Sequence, residues 1–136
     1  MDKALNYLSL ARKAGLAELG EEPVGAAARA MKAHVILVAS DASDHTWRRA
    51  KSFAAGTDQQ CIRVPFSKDE MGFAIGRSSL ALAAITDVAL ALALVQSLPE
   101  ANAAALQVLE EKVSKLKKRQ SEAKAHKRNV RKGKKK

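Results

Sequence analysis

The sequence predicts an α/β protein: a three-layer α/β/α sandwich with a mostly parallel, partly mixed sheet, followed by a helical basic tail at the C-terminus. Short β-branched runs alternate along the chain with segments whose apolar residues recur at helical spacing, which is typical of a sheet covered by helices. Residues 35–39 are apolar at every position, as expected for a strand covered on both faces. The length of 136 residues allows one domain with an appendage.

Capping residues and spacing define the first elements. Asp2 can cap a helix over residues 3–14, whose apolar residues recur at helical spacing, and Gly15 stops it. An extended piece over residues 16–19 follows.

A second helix is predicted to open at Gly20, with Pro23 in its first turn, where the missing N–H costs nothing. Four apolar residues form its predicted buried stripe: Val24, Ala27, Ala28 and Met31. The covered strand over residues 35–39 comes next.

Residues 40–44 offer several N-cap oxygens for a third helix. Its predicted inner residues are Trp47, Ala50 and Ala54, and its predicted outer residues are Arg48, Arg49 and Lys51. A strand over residues 61–64 follows. Ser67 and Glu70 then form a capping box for a fourth helix, which ends at Gly76.

Residues 80–85 are predicted to form the last strand, and Thr86 is predicted to cap a helix over residues 87–98. This stretch is apolar, but Asp87 in its middle would cost about 2.5–3.5 kcal/mol in a membrane. A buried strand and helix are therefore predicted rather than a membrane span.

The tail, residues 99–136, carries nearly all of the positive charge. It has 13 basic and 4 acidic residues, a net charge of +9, whereas residues 1–98 have 11 and 10, a net charge of +1. The usual partner of a polycation is a nucleic-acid backbone. The predicted phosphate contacts, which do not depend on base sequence, are Lys115, Lys117, Lys118, Arg119, Lys124, Lys127, Arg128, Arg131 and Lys132.

An apolar seam opens the tail at alternating three and four spacing: Leu106, Leu109, Val113 and Leu116. It is too short for a coiled coil, so it is predicted to dock on the body or to fray. From Lys124 on, the composition is that of a disordered basic end.

Residues that carry out chemistry are scarce, and an enzyme is not predicted. Ser43, Asp44 and His45 are adjacent, which suits helix capping and not a catalytic triad. Cys61 is the single cysteine and is expected to be a buried small hydrophobe, which fits a reducing cytosol. His34 stands alone, so no metal site is predicted, and no cofactor motif is present.

Four local motifs together resemble one known family: residues 20–22 (GEE), 35–43 (VILVASDAS), 64–76 (VPFSKDEMGFAIG) and 84–87 (AITD). They resemble the ribosomal protein L-seven-Ae and L-thirty-e superfamily, and its small bacterial stand-alone members in particular. The resemblance implies an RNA-binding domain over residues 1–98, with the same α/β/α sandwich. It also implies binding of kink-turn RNA, and ribosomal RNA and ribosomal proteins as partners.

The family binds RNA through the start of the second helix and the loop before the last strand. The resemblance therefore implies an RNA-binding site formed by Gly20, Glu21, Glu22, Gly25, Ala26, Arg29, Arg77, Ser78 and Ser79. A carboxylate can accept hydrogen bonds from base N–H groups, so Glu21 or Glu22 suits a guanine edge, and phosphates are left to the arginines. The small residues Gly25 and Ala26 allow close approach of RNA.

Other interpretations remain open. First-turn acids such as Glu21 and Glu22 also stabilise a helix through its dipole alone. The strongest kink-turn binders have Asn, Glu and Lys where this chain has Glu22, Pro23 and Ala26. A protein-interaction module of the same fold, which binds a partner through the apolar seam, is therefore the alternative, and an accessory domain of an RNA-modifying enzyme is a second. Nothing in the sequence requires more than a monomer.

Overall fold

The computed structural model describes residues 2–98 and 102–134, and describes side chains as far as Lys124. The elements are α1 (Lys3–Lys13), β1 (Ala17–Leu19), α2 (Glu21–Arg29), β2 (Val35–Val38), α3 (Asp44–Ala54), β3 (Gln60–Arg63), α4 (Lys68–Ala74), β4 (Leu82–Ile85), α5 (Val88–Gln96) and α6 (Ala103–Lys134). The predicted α/β sandwich with a C-terminal helix is confirmed.

The sheet has the strand order β1-β4-β2-β3. β4 pairs antiparallel with both β1 and β2, and only the β2–β3 pairing is parallel. The sequence predicted a mostly parallel sheet, and this prediction of strand direction is wrong. The sheet is mixed, and most of its strand pairings are antiparallel. The reason is that an apolar run has the same pattern in either direction, so the alternation of helices and strands cannot show how β4 enters the sheet.

Helices cover both faces of this sheet. α2 packs against α3, while α1 packs against α4 and α5. Every residue of β2 and β4 is buried, which confirms the prediction of a strand without a solvent face for residues 35–38. The main core lies between the sheet and the two helix layers.

Three of the predicted helix caps are confirmed. Asp2 accepts a hydrogen bond from the Ala4 N–H at 2.8 Å, and Ser43 caps α3. Ser67 and Glu70 form the capping box of α4.

The cap predicted at Thr86 is wrong. Asp87 caps α5, because its carboxylate accepts the Leu90 N–H at 2.9 Å. The Thr86 N–H instead donates to the Leu16 carbonyl at 2.8 Å and continues the pairing between β1 and β4. Thr86 therefore still belongs to the strand end.

Met31 does not belong to the buried stripe of α2. The helix ends at Arg29, and Met31 has a φ of 60°, in the left-handed region. Its side chain is 54% exposed. Because a left-handed residue just after a helix reverses the chain, Met31 leaves the helix face on which Val24, Ala27 and Ala28 are buried.

The seam at the start of α6 packs on the body, as predicted. Leu109 is fully buried in the main core, and Leu106 and Val113 pack against it. Leu116 is 39% exposed, so the seam ends there. The core thus extends past residue 98, and the division of the chain at that residue stays a prediction.

The backbone of α6 is helical as far as Lys134, whereas the composition predicts disorder from Lys124. The segment is rich in Ala, Lys, Arg, Glu and Gln, all good helix formers, which accounts for the longer helix. Among the described residues, no helix combines the length and the apolarity needed to cross a membrane.

Candidate nucleic-acid interface

The start of α2, the first segment predicted to bind RNA, lies beside the strand that follows the second segment, although the two are far apart in the sequence. The Gly20 N–H donates to the Leu82 carbonyl at 3.0 Å, and Leu19 is paired with Ala83 in the sheet. The start of α2 therefore lies next to the start of β4 and the loop before it. We call residues 20–26, Arg29 and the loop 77–79 together the α2–loop surface.

The loop 77–79 is held against α4 by its backbone. The Arg77 N–H donates to the Gly72 carbonyl at 2.8 Å, and the Leu80 N–H donates to the Lys68 carbonyl at 2.9 Å. A Cβ on Gly72 would lie 2.6 Å from the Ser79 nitrogen, so only glycine allows this approach. The side chains of the loop, Arg77, Ser78 and Ser79, are exposed.

The two acids at the start of α2 have different surroundings. Glu21 forms an ion pair with Arg49 of α3, in which both side chains are about half exposed. Glu22 is exposed, and within the described part of the chain no basic side chain forms an ion pair with it. Of the two carboxylates, Glu22 is thus the one available to accept hydrogen bonds from a base.

Gly25 is buried and faces α3. A Cβ there would meet two ring atoms of Phe53 at 3.0 and 3.1 Å and the Arg29 guanidinium at 3.3 Å. The space that the sequence analysis assigns to RNA at Gly25 is therefore used for packing between helices. The side chain of Arg29 extends along α2 towards the start of the helix, as far as Gly25.

Ala26 is exposed, and a groove of about 410 Å³ runs beside it. Pro23 and Ala30 also line this groove. These side chains are small, so the groove beside α2 is open at Ala26, and the contact of RNA with Ala26 stays a prediction.

Trp47 lies at the edge of the core and packs against it, which confirms in part the inner position predicted from the sequence. It is partly exposed, whereas Ala50 and Ala54 on the same helix are buried. The Arg63 guanidinium lies 4.8 Å and the Lys51 ammonium 5.3 Å from the centre of a Trp47 ring. Sequence reasoning missed Arg63 as a surface cation, and the only signal was its position at the end of a strand.

The first cations of the tail lie at the other end of the sheet. Lys112 pairs with Asp58, just before β3, at 3.2 Å. Lys115 and Arg119 line an open cavity of about 480 Å³ together with His34 and Asp87, which flank β2 and β4 at that end. Of the predicted phosphate contacts, Lys115 and Arg119 are thus not brought next to the α2–loop surface.

The remaining tail cations divide by what the structure describes. Lys117, Lys118 and Lys124 are exposed on α6. The side chains of Lys127, Arg128, Arg131 and Lys132 lie outside the described side chains.

The surroundings of Ser43, Cys61 and His34, whose side chains could in principle act in catalysis, point to structural roles. The Ser43 oxygen accepts the Thr46 N–H at 3.1 Å, as a helix cap does. Burial raises the pKa of Cys61 to about 11, so its thiol is a weak nucleophile at neutral pH. Burial, and secondly the charge of Lys112, lower the pKa of His34. Within the described residues, no three metal-binding side chains come together.

No family model matches the chain. The RNA-binding protein YlxQ of Enterococcus faecium is 36% identical to it over 75 residues, which cover 55% of this chain and 72% of that protein. A protein of unknown function from Bacillus halodurans has a similar structure, with a TM-score of 0.68 at 24% identity over 74% of this chain and 100% of that one. A Giardia lamblia 15.5kD RNA binding protein has a TM-score of 0.52 at 19% identity, over 68% of this chain and 78% of that one. At these identities, the two structures support the fold alone.

Proposed function

The chain belongs to the family of the RNA-binding protein YlxQ, and from this premise we propose that it is a non-enzymatic, cytoplasmic protein that recognises structured RNA of the kink-turn type. The α2–loop surface recognises the bent RNA, and the cations of α6 add affinity that does not depend on sequence. Membership of the L-seven-Ae and L-thirty-e superfamily is part of this proposal. So are a monomeric state and a ribosomal or ribosome-associated role alongside ribosomal RNA and ribosomal proteins.

The observation that carries the proposal is that the start of α2 is joined to the start of β4, the strand that the loop 77–79 leads into. The hydrogen bond from Gly20 to Leu82 joins the start of α2 to the start of β4, and the close approach of Ser79 to Gly72 fixes the backbone of the loop before β4. The result is a preformed, continuous surface with exposed polar side chains. Such a surface suits the recognition of RNA shape, because shape is read by groups held in fixed positions.

Within this surface we assign different roles to the two acids. Glu22 accepts hydrogen bonds from the N–H groups of a guanine exposed at the kink. Glu21 forms an ion pair with Arg49. This pair orients α3 against α2, and the charge of Arg49 offsets the repulsion between Glu21 and a nearby phosphate. Arg29, Arg77, Ser78 and Ser79 contact the RNA backbone.

The alternative, a protein-interaction module that uses the apolar seam of α6, has less support. Leu109 is 0% exposed and belongs to the core of this same chain. Leu106 and Val113 also pack against that core. A partner helix would therefore have to displace α6 from its own body.

The test is a titration of the full-length protein with a kink-turn RNA and with a straight duplex of equal length, over a range of salt concentrations. Because non-specific phosphate binding weakens steeply with salt, the preference for the kinked RNA should persist or grow at high salt. Equal affinity for the two RNAs at every salt concentration would refute the proposal.

Two substitutions test the assigned surface. Glu22→Gln keeps the shape of the side chain but weakens its acceptor strength, and we expect it to reduce the preference for kinked RNA. Arg77→Gln should weaken binding. The matched controls are Glu111→Gln on α6 and Arg12→Gln on α1, which are exposed residues outside the surface. If the controls have the same effect as Glu22→Gln and Arg77→Gln, these residues do not form the site.

A further inference from the structure

The outer side of α3 and the neighbouring strand end carry a group of cations that form no ion pair within the described part of the chain. Arg48 and Lys51 are exposed on α3, and Arg63 is exposed at the end of the neighbouring strand β3. Among the described residues, no carboxylate forms an ion pair with any of these three. We call Trp47, Arg48, Lys51 and Arg63 the α3 face.

Trp47 holds two of these cations in place. Its rings lie under the Arg63 guanidinium, 4.8 Å away, and near the Lys51 ammonium, 5.3 Å away. A cation over an aromatic ring is attracted by the electrons of that ring while its N–H groups stay free at the edge. The two side chains therefore lose conformational freedom before any partner binds, and a ligand that bridges them meets a prearranged pair.

This cationic group is a local feature and not a general property of the body. Residues 1–98 have a net charge of only +1, so the cations of the α3 face are balanced elsewhere. Asp69 and Glu70 lie in the first turn of α4, which packs with α1 on the other side of the sheet. The cationic character of the α3 face is therefore local, and Asp44 is the acidic residue in the first turn of the same helix.

The α3 face is separated from the α2–loop surface by the width of α3 alone. α3 packs against α2, the ion pair between Arg49 and Glu21 bridges the two helices, and the Phe53 ring packs on Gly25. Arg63 ends β3 and is paired with Val38, so it lies at the same end of the sheet as the start of α2. RNA bound at the α2–loop surface and extending sideways reaches this face next.

We propose that the α3 face binds the phosphate backbone of a duplex stem that leaves the α2–loop surface. Arg48, Lys51 and Arg63 contact the phosphates, and Trp47 is a positioning residue that orients Lys51 and Arg63. Phosphate is the chemistry that unpaired, clustered cations recognise, and a guanidinium can bind it in bidentate fashion. This inference rests on the proposed function, because it requires RNA at the neighbouring surface.

The test uses the full-length protein, at salt concentrations from 50 to 400 mM, and four RNAs: a kink-turn with both stems, two versions with one stem trimmed, and a straight duplex. The variants are Arg48→Gln with Lys51→Gln, and Arg63→Gln. The matched control is Arg12→Gln with Lys13→Gln at the end of α1, which also removes two exposed cations. Each lost phosphate contact should reduce the slope of log affinity against log salt by about 1.

We expect the α3 variants to bind the full kink-turn RNA more weakly and with a shallower salt dependence than the wild type. Between 50 and 200 mM salt, the affinity of a variant with one contact fewer should fall by a factor that is about 3.5-fold smaller than the factor for the wild type. The effect should vanish with one of the two trimmed RNAs, which identifies the stem. A slope equal to that of the control variant, or a loss that is the same on all four RNAs, would overturn the proposal.

Trp47 has its own test. Trp47→Phe keeps an aromatic ring and should retain binding, whereas Trp47→Leu should weaken binding to the RNA with both stems but not to the RNA that lacks the contacted stem. Equal behaviour of Trp47→Leu on these two RNAs would mean that its role is structural only. If the wild type has no preference for kinked over straight RNA, the proposed function itself fails. The wild-type protein alone gives this result, so it is distinguishable from a failure of the α3 face.

Discussion

Replacement of Gly72 by alanine tests whether close backbone contact with α4 holds the loop 77–79. An added Cβ would lie 2.6 Å from the Ser79 nitrogen, 2.7 Å from the Ser79 Cα and 2.8 Å from the Arg77 oxygen. All three are backbone atoms that cannot rotate away, so either the loop or the helix has to move. Overpacking of this kind costs about 1–3 kcal/mol, and contacts this short with backbone place Gly72→Ala in the upper half of that range.

Helix propensity acts in the opposite direction. Alanine in a helix interior is more favourable than glycine by about 0.8–1 kcal/mol. We therefore expect Gly72→Ala to lower the free energy of unfolding by about 1–2 kcal/mol. Gly25→Ala is the matched control, because its Cβ would meet the Phe53 ring at 3.0 and 3.1 Å, and a side chain can shift where a backbone cannot. We expect that variant to change the free energy of unfolding by less than about 1 kcal/mol.

Urea unfolding measures both variants, with the thermal midpoint as a second probe. For a chain of this size, each kcal/mol corresponds to roughly 3–6 °C in the midpoint. At temperatures where Gly72→Ala is folded, it should also bind kinked RNA with less preference, because the displaced loop carries Arg77. If Gly72→Ala is as stable as the wild type, or more stable, and keeps its RNA preference, the loop is not held in this way and the reasoning is refuted.

Three further predictions concern the core and its pH dependence. Leu109→Ala should lower the free energy of unfolding by about 2–5 kcal/mol in urea because Leu109 is fully buried; a loss below about 0.5 kcal/mol would mean that α6 does not pack on the body. Gln59 is buried, and its side chain forms hydrogen bonds with two backbone groups near the end of α2, at 2.9 and 3.1 Å. Gln59→Leu should therefore lower the free energy of unfolding by about 2–4 kcal/mol, whereas the neighbouring Gln60→Leu should change it little. Equal losses for the two variants would contradict this reasoning. The pKa of His34 is lowered from 6.5 in the folded protein, so the unfolded chain binds the proton more readily. The free energy of unfolding should therefore have its full value above about pH 6.5. It should decline as the pH falls from that value to the lower folded-state pKa. His34→Gln should reduce this slope in urea titrations at several pH values, and an unchanged slope would exclude His34 as its source.

Helix caps could be predicted from the sequence because they depend on neighbouring residues only. Ser43 and Ser67 cap the helices that the sequence assigned to them. Thr86 and Asp87 show the limit of this reasoning, because both are good cap residues and stand side by side. Which of them caps α5 is decided by the hydrogen bond from Thr86 to Leu16, a contact between distant segments that no local pattern contains.

The position of Trp47 could not be predicted for a related reason. Helical spacing places it on the same face as Ala50 and Ala54, but it lies at the margin of that face. Because the inner residues of α3 are small, the helix packs closely on the sheet and leaves a large ring at its edge. The sequence therefore indicated which helix carries the ring, and the packing leaves the ring at the edge of the core, where Lys51 and Arg63 lie over it.

The candidate site was predicted better as a set of segments than as a set of contacts. The resemblance named the start of α2 and the loop 77–79, and the structure joins the start of α2 to the strand that follows this loop. It could not indicate that Glu21 is paired with Arg49 or that Gly25 is covered by Phe53, because both partners belong to α3.

The strand order has a consequence for how the protein is made. β4 is the last strand to be synthesised, yet it lies between β1 and β2, and it is the strand that pairs with β1. A nascent chain that has not yet reached residue 85 therefore cannot complete the sheet, and the segments carrying Glu22 and Arg77 have no common support. The growing polypeptide can assemble the proposed RNA-binding surface only after β4 has been synthesised, and products of premature termination before that point would lack it.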